Sequence, residues 1–508
     1  MGQLIKHSDS PIKVKGSLFW SLVSVVAGAI TTLAFAPFDL SWLVFFTLAL
    51  VFYLWSNLSA KQAFISAWLF GLGLQCSGVS WIYYSLHVHG SAPALFAILL
   101  VFLLCCYLSL YTGLAIYFVN RYLPNNTFLR LMLFYPAAWV VFEWLQGYVM
   151  TGFAWMQLGY TQIDMPLSGF AALLGNHAIS GAIAVSAGAL VVLYKQRKGL
   201  NIKHSAIVTL TVILLWSSSL ILKSVSWTEA IGEPIRVSVI QGNIAQSDKW
   251  KPHMKQATIE MYRDLSLAQS DVDLIVWPET AVTDYRYRML PFLQQLSDEM
   301  KARDTDLLLG IFVRNDENRV LNSVVNVNGG VYKKRHLVPL GEYIPLRFLI
   351  EFFNRFVKIP MSDIASGEDD QELLTAAGIP LGLSICFEDA FSRDVIKDLP
   401  DAELLVNVSN DAWFEDSHEA HQHHAIARMR SLEAGRYMIR STNTGITALI
   451  GPHGEVIKKL PQFERGVLKG EVQPLSGSTP FVRWGDLLIV MICTLLLLAF
   501  SVRNYSNR

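Results

Sequence analysis

The chain has 508 residues, 52% of them hydrophobic and 16% charged, well short of the roughly one quarter charged that soluble domains carry. Lys+Arg and Asp+Glu both number 41, so no excess of positive charge exists to displace counterions, and nucleic-acid binding is excluded as the main role. Residues 17–222 hold ten charged side chains and the other seventy-two of 82 lie outside them, which implies one half built for lipid and one for water.

Residues 1–16 read as a cytoplasmic N-terminus. Apolar runs long enough to cross a bilayer follow at 17–34, 40–56, 62–85, 92–119, 128–148, 168–194 and 204–222, with an eighth at 486–502. They divide the chain into a seven-helix transmembrane domain (17–222), an extracytoplasmic domain (223–485), an eighth transmembrane helix (486–502) and a cytoplasmic C-terminus (503–508). The first run ends on Ala34-Phe35-Ala36, which imitates a signal-peptide cleavage site. It is long, Pro37 follows at once and further spans come after it, so it is expected to be retained.

Charge in the connections sets the orientation. Lys6, Lys13 and Lys15 precede the first span, Lys61 follows the second, Arg121 and Arg130 the fourth, and Lys195, Arg197, Lys198 and Lys203 the sixth. The alternate loops carry Asp39, His87 with His89, and Asp164, with no Lys or Arg. Basic loops at every second turn put both termini in the cytoplasm and the 223–485 domain on the far side of the membrane. Glu143 is an acid at membrane depth, which is costly and usually functional. It either serves a substrate or sits near enough to a helix end to reach interfacial water. Trp81, Tyr83, Tyr84, Trp144, Trp155 and Tyr160 gather near the same outer ends, as an interfacial belt does.

From about residue 233 the pattern changes to short β-rich runs. Strands are expected at 235–243, 271–279, 305–312, 322–328, 379–386, 402–409 and 445–451. Helices are expected at 253–269, 289–303 and 418–436, the last with a polar, basic face. Gly329-Gly330 reads as a hairpin turn. The result is a layered α/β domain of about 250 residues, without a Gly-rich phosphate loop or a dinucleotide fingerprint.

Cys76, Cys105, Cys106 and Cys493 lie in apolar spans, whereas Cys386 is the one cysteine of the outer domain. It has no disulfide partner there although the compartment is oxidising, and it stands where a strand ends, as catalytic groups do. A structural thiol remains the alternative. Glu279 closes LIVWPE, and Lys334 lies in the charged run YKKRHLVPLGEYIP (332–345). Together the three make workable chemistry: a carboxylate to take the thiol proton, a thiolate to attack a carbonyl and an ammonium to hold the oxyanion.

WPET (277–280), KKRHLVPLGEYIP (333–345), ICFED (385–389) and VSNDAWF (408–414) resemble the Glu-Lys-Cys pattern of the nitrilase superfamily. FAPFD (35–39), SGVSWIYYS (77–85) and TGFAWMQLGY (151–160) resemble membrane signatures of the bacterial apolipoprotein N-acyltransferases. IQGNIAQSDKW (240–250), RMRSLE (428–433) and RSTNTGITALIGPHGE (440–455) resemble their outer-domain signatures, and the likeness runs from about 17 to 500.

The resemblance implies an α-β-β-α sandwich of nitrilase type beside a multi-span helical domain. It implies Cys386 as nucleophile, Glu279 as general base and Lys334 as oxyanion partner, with Glu342 and Glu388 in support. Trp250 and Trp413 match aromatics of loops around the substrate entrance, and Tyr343, Phe387 and Glu143 complete the candidate substrate contacts. The chain departs from the family at Phe387, where tyrosine is common, and at Glu415, Ala154 and Gln146, where glycine, proline and arginine are common. The implied reaction is ping-pong: acyl transfer from a phospholipid to Cys386, then to the N-terminal amine of a diacylglyceryl apolipoprotein. No metal or cofactor is required, and the chain is expected to act as a monomer in the bacterial inner membrane.

A stripe in 346–361, with Phe352 and Phe356 at i, i+4, is expected to form a lid at the membrane surface or to pack on the domain core. His418, His421 and His424 recur at i, i+3 but lack a completing ligand set, so zinc is not expected. Two other readings stay open on the residues alone: a membrane-tethered nitrilase-type amidase, and a non-catalytic membrane sensor with a nitrilase-like ligand-binding domain.

Overall fold

The computed structural model describes residues 17–196, 202–339, 341–343 and 363–506. The candidate lid at 346–361 lies outside the described residues.

Among the described residues, five helices in the expected places are long and apolar enough to cross a membrane: Ala94–Tyr122, Thr127–Gln146, Pro166–Gln196, Lys203–Lys223 and Leu487–Tyr505. A sixth is counted if the bent pair Ala60–Gly78 and Ile82–His89 is one span, and the first two expected spans are the shorter apolar helices Leu18–Ala34 and Leu43–Trp55. The span expected over 62–85 is bent, its two segments meeting at 61°. The Gly78 carbonyl at the bend accepts from Trp81 Nε1 (3.0 Å) and Gln422 Nε2 (3.1 Å), and side chains that draw off ladder carbonyls are a recognised cause of kinks. The first and third helices approach closely through small residues: a Cβ at Gly28 would lie 2.0 Å from the Phe70 carbonyl, and one at Gly73 2.0 Å from that of Val25.

The outer domain is a two-sheet sandwich. One sheet runs Gly466–Val472, Ile235–Gln241, Leu274–Val276, Asp306–Arg314, Val320–Asn326 and Val331–Lys333, with Val282–Tyr285 added alongside Asp306–Arg314. The other runs Val456–Lys459, Ala448–Ile450, Met438–Thr442, Leu404–Ser409, Ile379–Ile385 and Leu374–Ala376. The central strands of each sheet are parallel and apolar along nearly their whole length, as strands covered on both faces must be. Val237, Leu274, Leu308, Leu383, Val406 and Ile439 meet in the core between the sheets. Helices Pro252–Leu267 and Leu290–Lys301 cover the first sheet over Ile259, Leu296, Trp277 and Ile311, and Glu419–Ala434 covers the second over Leu405, Met438 and Ile450. The expected Gly329-Gly330 turn joins the antiparallel strands Val320–Asn326 and Val331–Lys333.

The expected helix at 418–436 is present as Glu419–Ala434, and its polar face is turned inward. It is wedged between the sandwich and the membrane half, with Gln422, His423, Arg430 and Glu433 all buried. Gln422 Oε1 accepts from Trp81 Nε1 (3.0 Å) and Trp155 Nε1 (2.8 Å). Glu433 Oε1 accepts from the Asn176 N–H (2.8 Å), which a break at Gly175 (φ 77°) frees from its helix. Arg428 pairs with Asp164. The polar residues of this helix are therefore the joinery between the two halves.

Candidate active site

Cys386 ends the strand Ile379–Ile385 and opens the turn Cys386–Ala390 with φ 53°. That left-handed conformation is strained for a residue with a side chain and persists only when its surroundings hold it. Cys386 is a half-buried residue that packs against two hydrophobic cores at once, that of the membrane half and that between the sheets. Burial pushes it up to about 12; the charge of Glu279 adds to this, and Lys334 and His423 oppose it.

Glu279 follows the strand Leu274–Val276 and is buried. Its Oε1 accepts from Asn322 Nδ2 (2.7 Å) and lies 3.9 Å from Lys334 Nζ. Burial raises its carboxyl above the usual range, against the pull of Lys334. Lys334 comes just after Val331–Lys333 and is 1% exposed. Its Nζ donates to Glu342 Oε1 (2.9 Å). Burial alone would lower its affinity for a proton, but Glu342 and Glu279 raise it well above the ordinary lysine value, so the ammonium is a fixed charge. Glu342 in turn accepts from the Val338 N–H (2.8 Å) and from Asn322 Nδ2 (3.4 Å).

Glu388 acts as a brace. Its Oε1 accepts from the N–H groups of Arg335 (2.6 Å) and His336 (2.9 Å). Its Oε2 accepts from the Ile385 N–H (2.7 Å) and Tyr332 Oη (3.0 Å). One carboxylate thereby ties the residue before Cys386 to the residue after Lys334. Burial pushes it up to about 7, against Lys334 and the main-chain donors.

Of the other candidates, Phe387 is buried and stacks on Trp155 of the membrane half (6.3 Å, 15°). Trp250 is 41% exposed, stacks on Phe312 (5.9 Å) and lines a cavity of about 570 Å³ with Tyr285, Arg288 and Asp363. Trp413 meets His89 edge-on (5.7 Å). Tyr343 is half-buried and its backbone bridges to Asp363. Glu143 does not reach interfacial water: it is buried in the membrane half, accepting from the Leu158 N–H (2.9 Å) and Trp139 Nε1 (3.2 Å). Those contacts belong to the membrane half and not to the Glu279–Lys334 pair.

Three features escaped the sequence reading. Asn322 was visible only as a strand residue, although a polar side chain on a buried strand is the signal that it has a partner. Lys249, 5% exposed, donates to the Glu279 main-chain carbonyl (3.0 Å). The third is a buried network centred on His423. Its Nε2 faces Asp389 Oδ1 (2.8 Å) and the Cys386 carbonyl (3.2 Å), and its Nδ1 faces Asp411 and Glu419 (both 3.2 Å). Arg440 pairs with Asp389 (3.0 Å) and Asp411 (3.4 Å). Asp411, Glu419 and His423 have donor atoms within 4.8 Å of one another. With carboxylates on both ring nitrogens the imidazole is held as a cation, its proton affinity raised by Asp389 and Asp411 in spite of burial. The group is thus an ion-pair network, and it is not the His418, His421, His424 set.

A family description for the apolipoprotein N-acyltransferase N-terminal domain matches residues 27–189, and one for carbon-nitrogen hydrolase matches 236–481. The chain is 40% identical over 477 residues to an apolipoprotein N-acyltransferase of Methylococcus capsulatus, covering 93% of this chain and 94% of that one. It is 39% identical over 486 residues to that of Pseudomonas syringae pv. tomato (94% and 95% covered) and 37% over 485 residues to that of Coxiella burnetii (94% and 99%). Among solved structures, a carbon-nitrogen hydrolase from Helicobacter pylori aligns with 47% of this chain and 89% of its own, at 18% identity and a TM-score of 0.36. Because the identity runs through both halves in one order and nearly end to end, the chain belongs to the apolipoprotein N-acyltransferase family.

Proposed function

We propose that this chain N-acylates apolipoproteins by a ping-pong route in which Cys386 takes a fatty acyl group from a membrane phospholipid and gives it to the α-amine of a diacylglyceryl-cysteine. The observation that carries the reading is the buried Glu279–Lys334–Glu342 set beside a thiol that packs on both the membrane core and the sheet core. Such a position lets an ester carbonyl come from the lipid side while its reacting atoms meet fixed charges.

The resting thiol is protonated, so attack requires a base, and Glu279, its proton affinity raised by burial, is suited to that task. The thiol proton passes to Glu279 as sulfur bonds to the ester carbon. The carbonyl π pair becomes an oxyanion facing Lys334, whose ammonium Glu342 keeps charged. Collapse breaks the bond to the glycerol oxygen, which leaves as lysophospholipid with the proton from Glu279. The acceptor amine then attacks the thioester, loses its proton to Glu279 and expels the Cys386 sulfur, which recovers that proton. Ester and amine have become alcohol and amide, and Glu279, Lys334 and Cys386 end as they began. Glu388 holds Cys386 and Lys334 in register, and Trp250, Trp413, Tyr343 and Phe387 shape the approach.

The chain is a bacterial membrane protein with several apolar helices. The proposed topology has eight spans, divides the chain at 17–222, 223–485 and 486–502, puts both termini in the cytoplasm and the catalytic domain in the periplasm, and works as a monomer. Alternating charge in the loops supports it.

The test is intact-mass measurement of the purified protein in phospholipid micelles beside Cys386→Ala. A hydroxylamine-labile gain of one acyl mass, absent from the variant, is the expected result. No adduct on the native chain would overturn the thioester route and favour an amidase or a binding domain.

A further inference from the structure

The proposed chemistry leaves a buried lysine, Lys249, unused. Lys249 and Lys334 are the two buried lysines among the described residues. Lys334 is matched by Glu279 and Glu342. Among the described residues no carboxylate lies in hydrogen-bonding range of Lys249; its Nζ donates to the main-chain carbonyl of Glu279 at 3.0 Å. A buried ammonium that spends its hydrogen bond on a neutral carbonyl is costly unless nearby anions need its charge.

The surrounding loop is built to hold it there. The Asn243 N–H donates to the Asn443 carbonyl (2.9 Å), Asn443 Nδ2 donates to the Ile244 carbonyl (2.7 Å), and Asn410 Nδ2 donates to Gln246 Oε1 (2.9 Å). The next residues, Trp250 and Lys251, line the 570 Å³ cavity together with Thr283 and Asp284, which follow Glu279 in the chain. Lys249 therefore ties the loop that leads into that cavity to the main chain of Glu279.

Charge counting gives it a role. With Glu279 and Glu342 ionised and Lys334 charged, the buried set carries one net negative charge; Lys249 brings the set to neutrality. When the Cys386 proton moves to Glu279 the thiolate replaces the carboxylate, and the count stays neutral only with Lys249 included. Glu388 accepts from the Arg335, His336 and Ile385 N–H groups and from Tyr332 Oη, Arg335 pairs with Asp398, and His423 answers to Asp389, Asp411 and Glu419.

We propose that Lys249 is a second ammonium of the catalytic centre, a positioning residue that fixes Glu279 through its carbonyl and supplies the charge that lets the Cys386 thiolate form. This rests on the triad reading above. Burial lowers the Lys249 ammonium to about 8, with Glu279 and Cys386 resisting, so its charge is present at neutral pH and lost as pH rises through that value.

The experiment uses the full chain in micelles containing dioleoyl phosphatidylethanolamine and follows single-turnover acylation of Cys386 by mass. Lys249→Met removes the charge at similar length, and Lys249→Gln removes it while keeping a donor for the Glu279 carbonyl. Both are expected to slow acylation about tenfold or more, the effect of one unit in the pKa of the nucleophile, with the lipid concentration at half-maximal rate unchanged. Iodoacetamide alkylation at Cys386, located by peptide mass, should fall by a similar factor, and the loss of rate above pH 8 in the native chain should vanish. Native rates in Lys249→Gln would overturn the role of the charge even if Lys249→Met did not fold. Absence of any adduct on the native chain would instead strike the triad reading itself.

Discussion

Replacing Glu388 by Gln tests whether the nucleophile and the ammonium are held together by one side chain. The carboxylate accepts four hydrogen bonds, from Arg335, His336 and Ile385 main-chain N–H groups and from Tyr332 Oη. Glutamine offers one oxygen and one NH₂. With its oxygen toward Arg335 and His336, the NH₂ faces the Ile385 N–H, donor against donor, while Tyr332 Oη can turn to accept. At least one buried N–H loses its partner, at about 1–3 kcal/mol, or about 2–12 °C in melting temperature for a domain of this size. The larger effect falls on rate: Ile385 precedes Cys386 and Arg335 follows Lys334, so a shift of about 1 Å between them costs on the order of 10²-fold. Thermal melts of the purified protein and single-turnover acylation of Cys386 measure both. A variant that melts and acylates like the native chain would refute the brace.

Cys386 alkylation by iodoacetamide should rise about tenfold per pH unit between about 6 and 7, below the pH at which Lys249 loses its charge, because the thiolate is the reactive form and the thiol is pushed up to about 12; a rate that is flat across that range would contradict a protonated resting thiol. Asn322→Leu takes a donor from both Glu279 and Glu342; it should slow acylation about tenfold while costing about 1–3 kcal/mol of stability, and a native acylation rate would rule out that support. Gln422→Leu leaves the buried Trp155 N–H without its acceptor and should cost about 1–3 kcal/mol and lower acylation through Phe387, although the change lies outside the triad; a variant that melts later or acylates faster would count against it. Glu419 and Glu433 are pushed up to about 7 by burial. The folded chain therefore keeps protons that the unfolded chain releases from about pH 4.5 upward, and stability should fall as pH rises through that window and level off above 7. Glu433→Gln should flatten the fall seen in melting temperatures between pH 5 and 7, and an unchanged slope would count against the assignment.

Where local pattern and packing agree, the sequence was a good guide. Apolar runs located the five helices that, among the described residues, are long and apolar enough to cross a membrane, and 235–243, 305–312 and 379–386 became strands because parallel strands covered on both faces read as continuous apolar stretches. Met438–Thr442 was not anticipated as a strand because Arg440 interrupts its apolar run, and that arginine is buried only because Asp389 and Asp411 lie opposite it. Gly466–Val472, with its Lys469 and Glu471, is an edge strand whose polar residues face solvent. The proposed triad could be picked out because each member ends a strand or follows one. Lys249 was not, since its meaning depends on a carbonyl thirty residues away. The 62–85 bend was equally hidden, because the group that captures the Gly78 carbonyl from outside, Gln422, comes from the other half of the chain.

That Cys386 belongs to two cores at once bears on how this chain tolerates change. In an enzyme that merely hangs from an anchor, substitutions in the anchor alter location and leave turnover alone. Here Trp155 lies against the residue after the nucleophile and shares Gln422 with Trp81. A map of inactivating substitutions should therefore cross from one solvent to the other without a border at the membrane surface, and neither half is free to drift without the other.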